Sequence, residues 1–357
     1  MDNLPAGIRS RRVDGVNGLS VHCLEAGAPW NPCVLLLHGF PELAYSWRKV
    51  MPMLAAAGFH VIAPDQRGYG ATTGWDGRYD GDLASYRMLN LVQDCLSLLS
   101  SLGIGKAHVA GHDFGSPVAA YCVLTRPDVF RSVVLMSAPF GGAPIGGRSS
   151  KVHEDLAAMS RKHYQWYYST REAEDNMRRC PQGIHAFLRA YYHYKSADWP
   201  GNKPFALQGW IASELGKMPT YYIMELDKGM AETVAPHMPS HAAAWLTDEE
   251  LGVYAEAFER NGFQGGLQWY RCATNPGYAA ELGAAFAGRT LDIPSLYIAG
   301  ASDWGVHQKP GELERMQGGM CTDLRGCHLV EGAGHWVQQE RPERTAALLL
   351  DFLRTAG

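Results

Sequence analysis

The sequence predicts an α/β protein: a mostly parallel sheet flanked by helices and interrupted by an inserted helical segment. Three observations lead there. Short apolar runs alternate with helix-spaced stretches over residues 19–136, and again from 295 to the end. Between 140 and 283 the alternation stops, and Tyr, Trp, Met and helix formers take over. Gly111-His112-Asp113-Phe114-Gly115 joins one apolar run to a helix-like stretch, with glycines where a sharp bend has no room for side chains.

Residues 19–24 read as a strand. Residues 33–37 are continuously apolar, as expected of a strand buried on both faces. Residues 47–57 have helical spacing and stop at Gly58; 60–63 read as another short strand. Residues 83–102 read as one long amphipathic helix ending at Gly103. The strand 107–110 leads into the bend, 117–125 form the helix after it, and 133–136 are a further strand. No buried strand stands out in 140–283. The pattern resumes with strands at 295–299 and 327–330 and a closing helix at 341–353. The expected division is a core domain, residues 1–139 and 284–357, and an inserted helical domain, 140–283, entered through the Gly/Pro-rich stretch 139–147.

The chain has 357 residues, 46% of them apolar, and a formal net charge of −4. Nothing there calls for nucleic acid or an anionic membrane as a partner. No apolar run reaches membrane-spanning length, and residues 1–12 lack the apolar core of a signal peptide, so a cytoplasmic location is expected. The eight cysteines are scattered, without CxxC or Cys/His ligand spacing, and read as reduced core thiols. The GGAPIGG run at 141–147 has no following Lys-Ser/Thr and is no nucleotide loop. Neither a metal nor another cofactor is expected.

The chemistry turns on Asp113. A carboxylate that attacks saturated carbon forms an ester, which water can later open at its carbonyl. Serine making the same attack would form an ether with no carbonyl to open. Asp at the bend therefore points to displacement at an alkyl carbon, such as epoxide or carbon–halogen opening. The second step needs a base, and His335 sits in the loop after the 327–330 strand, between glycines and the last helix. That His needs a carboxylate on its other nitrogen. Asp303 follows the 295–299 strand, whereas Met136-Ser137-Ala138-Pro139 offers none after the preceding one. The oxyanion of the second step needs N–H donors, and the backbones of Phe40, in His38-Gly39-Phe40-Pro41, and Phe114 are placed to supply them.

Together these motifs resemble the α/β-hydrolase-fold epoxide hydrolases over nearly the whole length. They are HGFPE at 38–42, DQRGYG at 65–70, GHDFG at 111–115, Asp303 in GASDW and His335 in GAGHW. The insertion resembles that family's cap domain. The resemblance implies that Tyr164, in HYQWYY at 163–168, and Tyr270, in GFQGGLQWYR at 262–271, hydrogen-bond the epoxide oxygen. It also implies a small-molecule epoxide and water as the only reaction partners. Tyrosine suits that task, because an alkoxide leaving group needs a proton or strong donors, and a phenol stays protonated at neutral pH.

Two alternatives remain at this level. A haloalkane dehalogenase would use the same Asp but needs N–H donors for a halide, commonly a Trp after the nucleophile. Phe114 offers none from its side chain, and it departs also from the Trp that many epoxide hydrolases carry there. A non-catalytic ligand-binding protein on this fold would be expected to have lost the nucleophile, base or acid, and all three are here. In DQRGYG, Asp65 and Arg67 read as structural, Arg67 pairing with Asp65 or with loop carbonyls. Trp166, Met218, Met224 and Met230 read as packing.

Overall fold

The computed structural model describes residues 4–144 and 151–356, so the end of the 139–147 stretch lies outside the described residues. In chain order the strands are β1 (Ile8–Val16), β2 (Leu19–Ala26), β3 (Cys33–Leu37), β4 (His60–Pro64), β5 (Ala107–His112), β6 (Phe130–Met136), β7 (Arg161–His163), β8 (Ile223–Glu225), β9 (Leu291–Gly300) and β10 (Cys321–Val330). Eight of them form one sheet in the order β1-β2-β4-β3-β5-β6-β9-β10, and β7 and β8 form a separate ribbon. The β1–β2 and β2–β4 pairings are antiparallel; every later pairing in the large sheet is parallel.

That parallel run decides where chemistry can happen. The carboxyl ends of β3, β5, β6, β9 and β10 lie on one rim, so the loops carrying His38, Asp113, Ser137, Asp303 and His335 converge there although they are far apart in sequence. The strands are apolar on both faces because both are covered. Val34 and Leu36 of β3 pack with Met51, Leu54, Leu349 and Phe352 on one side. Leu35 and Leu37 face the other way, into the cluster holding Val92, Leu98 and Val118.

Three helical expectations change. The 47–57 helix is only Met51–Ala56, after a 3-10 turn at Ala44–Trp47, because Pro52 has no N–H and fits only a first helical turn. The 83–102 helix is a 3-10 turn, Leu83–Tyr86, and a helix, Met88–Ser101, separated by an extended Arg87. The break lets Tyr86 bury its ring while its hydroxyl donates to the Asp76 carbonyl at 2.8 Å. The helix after the bend starts at Gly115, two residues before the expected 117. β1 has no counterpart among the expected strands. Its outward residues are charged, with Arg9, Arg11 and Arg12 exposed, so it lacks the apolar run that marks the others.

Between β6 and β9 the chain is mainly helical, but the β7–β8 ribbon is a correction to the expected absence of strands. Three residues per strand is too short for a period-two pattern to register. The ribbon sets Tyr164: its N–H donates to the Tyr222 carbonyl at 2.9 Å, and the helix Tyr164–Tyr168 begins there. Tyr270 lies on the helix Gln264–Thr274. Two glycines bring that helix close. A Cβ at Gly265 would collide with the Gly68 backbone, and one at Gly266 with the Phe40 ring and the Tyr69 hydroxyl. Glycine costs about 1 kcal/mol against alanine inside a helix, and here the close approach requires it.

Candidate active site

Asp113 sits at the bend with φ 51°, in the left-handed region. The surrounding glycines are steric necessities: a Cβ at Gly111 would strike the Gly115 carbonyl, one at Gly115 the Leu37 carbonyl, and one at Gly39 the Asp113 side chain. Phe40 N–H donates to Asp113 Oδ1 at 3.0 Å. His335 Nε2 lies 3.4 Å from Asp113 Oδ2. On the other side of the ring, Nδ1 is 3.0 Å from Asp303 Oδ1 and 3.0 Å from Ser137 Oγ. Gly305 N–H also donates to Asp303 Oδ1, at 2.7 Å. Asp113, Asp303 and His335 are all buried.

Burial works against both carboxylates, yet both stay ionised. For Asp113 the opposing causes are the hydrogen bond and charge of His335, then the charges of Lys195 and His112, and the carboxyl ends well below its usual range. For Asp303 the charge and hydrogen bond of His335, then Ser137 and Gly305, bring it down to about 2.

Above them stand the aromatic residues of the insertion. The Tyr270 ring packs edge-on to Phe40 at 5.4 Å and to Phe114 at 5.2 Å, and the Tyr164 ring is 5.9 Å from Tyr270. Tyr164 Oη donates to Gln308 Oε1 at 3.0 Å and accepts from Gln165 Nε2 at 3.2 Å. The Tyr270 hydroxyl makes no hydrogen bond among the described residues. Burial, then the nearby Asp113 charge, push its pKa well up, so it remains a donor. The Phe114 ring rests on Trp269, whose indole N–H is committed to the Arg67 carbonyl at 2.9 Å. The Phe114 N–H has no partner among the described residues.

The seven residues expected from sequence thus meet in one place. Residues 32–342 match the α/β-hydrolase-fold family. The chain is 34% identical to epoxide hydrolase B of Mycobacterium tuberculosis over 96% of this chain and 97% of that one, and 34% identical to its epoxide hydrolase A over 97% and 98%. This chain is an epoxide hydrolase of the α/β-hydrolase fold. Among solved structures it resembles an epoxide hydrolase from an endophytic Streptomyces (TM-score 0.80, 33% identity, 98% of this chain and 96% of that one). It also resembles potato epoxide hydrolase I (TM-score 0.75, 31% identity, 98% and 99%).

The hydrolase carries further site residues that sequence reasoning does not single out. His112 Nδ1 is 2.6 Å from Glu42 Oε2, and its Nε2 is 2.7 Å from the His335 carbonyl oxygen. Both ring nitrogens face acceptors, so both donate and the ring is a cation. Burial alone would lower its pKa, but Glu42 raises it. Glu42 also accepts from Gly39 N–H at 3.1 Å and from Gln338 Nε2 at 2.9 Å. Both residues lie inside motifs already quoted, HGFPE and GHDFG, and that adjacency is the available signal. The pair ties the Gly39 loop, the nucleophile strand and the His335 loop together. We expect E42Q to lower the unfolding free energy by about 3 kcal/mol, since it strips a buried cation of its counter-charge. A urea midpoint unchanged from that of the parent protein would disprove this.

Lys195 is buried at 4% exposure, and its ammonium makes no hydrogen bond or ion pair among the described residues. Its ammonium lies over the Tyr222, Trp336, Tyr191 and Tyr221 rings at 5.1, 5.5, 5.6 and 5.8 Å. Burial lowers its pKa, opposed by the charges of Asp113, Asp303 and Glu42. As a lone Lys in an aromatic helix it carries no sequence signal. In DQRGYG, Asp65 instead pairs with His22 at 2.7 Å, while Arg67 pairs with Asp94 at 2.7 Å and donates to the Asn17 carbonyl at 3.1 Å. All eight cysteines are free. No helix among the described residues is long and apolar enough to cross a membrane.

Proposed function

We propose that this epoxide hydrolase works through a covalent ester on Asp113 and releases a vicinal diol. The observation that carries the reading is the single line of contacts Phe40 N–H, Asp113, His335, Asp303 beneath the Tyr164–Tyr270 pair. In the first step an Asp113 oxygen attacks one ring carbon and the C–O bond breaks. Tyr164 and Tyr270 hold the oxygen that leaves and supply its proton. In the second, His335 Nε2 takes a proton from water, whose oxygen attacks Asp113 Cγ. With Nε2 3.4 Å from Asp113 Oδ2, a water attacking Asp113 Cγ comes within reach of the base. Asp303 stabilises the resulting imidazolium, and the N–H groups of Phe40 and Phe114 receive the oxyanion. Collapse expels the diol oxygen, which takes the proton left on the Asp113 carboxyl, and the proton held by His335 returns to the tyrosine, so carboxylate, imidazole and phenol are restored as the diol leaves.

The reading includes the division into a core, 1–139 and 284–357, and a cap, 140–283, with substrate between them. It also includes a cytoplasmic site of action, which the free cysteines suit.

The two tyrosines differ in their surroundings, and this gives a test. Tyr270 has no competing hydrogen bond, whereas Tyr164 must turn its hydroxyl away from Gln308. Y270F is expected to slow ester formation by about 10- to 100-fold, and Y270F combined with Y164F to stop it. Rapid-quench measurement of the first turnover checks this. A double variant alkylated within twofold of the parent rate would remove the tyrosines from the mechanism.

A further inference from the structure

We infer that Glu340 is a positioning residue for the base, coupling the place of His335 to the docking of the insertion. The inference rests on the reading of His335 as the base of the second step. Glu340 is buried, and its carboxylate is shared by three backbone donors from two parts of the chain. Oε2 accepts Gly334 N–H at 2.9 Å and Ala197 N–H at 2.8 Å; Oε1 accepts Trp336 N–H at 3.0 Å. The residues on either side of His335 are therefore pinned by one side chain, and the third donor belongs to the segment that leaves the helix Ile184–Lys195 of the insertion.

The remaining bonds at this junction run the same way. His335 N–H donates to the Lys195 carbonyl at 2.9 Å, and Trp336 Nε1–H to the Tyr192 carbonyl at 2.9 Å. Asn202 Nδ2 holds the Tyr194 and Ser196 carbonyls at 2.9 and 2.7 Å. A Cβ at Gly334 would strike the Ser196–Ala197 backbone, so the two segments touch directly. The base loop has no secondary structure of its own from Gly334 to Trp336. Its geometry is set by what it is bound to, and that is the insertion and Glu340.

An ionised carboxylate suits this task. It accepts at both oxygens, whereas an amide presents two N–H groups to one of the donors it must satisfy. Burial pushes the Glu340 carboxyl up to about 7, against the pull of those three N–H groups, with nearby Asp198 adding to the rise.

The test is E340Q, in which shape is kept and one acceptor becomes a donor. Ester formation, which does not use the base, should stay within twofold of the parent. Ester hydrolysis should fall by about 10- to 100-fold, so the adduct on Asp113 accumulates. A loss confined to general stability would slow neither step selectively. Hydrolysis at the parent rate would overturn the proposal, whereas failure to detect any ester, even in an H335Q variant, would overturn the two-step reading instead. Should E340Q not fold, hydrogen exchange of the parent protein decides. The Ala197, Gly334 and Trp336 amides should be protected together, and a rapidly exchanging Ala197 amide would sink the coupling.

Discussion

Replacing Asp113 by alanine is expected to end diol formation, with a loss of about 10⁴-fold or more. The size follows from the proposed role: Asp113 supplies the oxygen of the covalent bond, and no neighbour can take its place. His335 is 3.4 Å away but is backed by Asp303 for proton transfer, and Lys195 is held among aromatic rings. The fold should survive, because the variant removes a buried charge rather than a packing group. The measurement is diol production by folded D113A, beside a single turnover of the parent protein in heavy-oxygen water. Label should enter the Asp113 side chain. Activity in D113A within tenfold of the parent, or no label at residue 113, would refute a covalent role.

H335Q should stop the enzyme halfway. Removing the proposed base should lower ester hydrolysis by about 10³-fold, while ester formation continues. The reason lies in the charge around Asp113. His335 contributes most to holding that carboxyl down, so its loss lets the pKa rise toward the ordinary carboxylate range. Lys195, His112 and the Phe40 N–H remain, and a carboxyl in its ordinary range is still ionised at neutral pH. The nucleophile therefore stays competent. A peptide containing Asp113 should gain the mass of the substrate after one turnover and keep it for many times the parent's cycle. Turnover by H335Q without adduct would mean that water attacks the epoxide directly.

The most legible part of the site is the set of residues that follow strands. Asp113, Asp303, His335 and Phe40 each lie a few residues beyond an apolar run, and the rule that parallel strands deliver their loops to one rim makes them neighbours without knowledge of any contact. Tyr164 and Tyr270 are a different case. They are two of the chain's seventeen tyrosines, both on helical segments, with no local feature to distinguish them, and only the family resemblance singles them out. The helix boundaries at Pro52 and Arg87 show the same divide. Pro52 is a local signal present in the sequence, whereas the break at Arg87 depends on where Tyr86 finds its core and its carbonyl partner.

Periodicity and turn chemistry are short-range properties, so a linear reading suffices for the α/β class, the bend at residue 113 and the chemistry that an aspartate there permits. Charge pairing and packing are not short-range. Glu42 meets His112 across 70 positions, Tyr164 meets Gln308 across 144, and Ala197 meets Glu340 across 143. Buried polar groups must find partners wherever the fold delivers them, so the ion pair under the nucleophile, the aromatic box around Lys195 and the three-way grip on the base loop exist only once the chain has closed on itself.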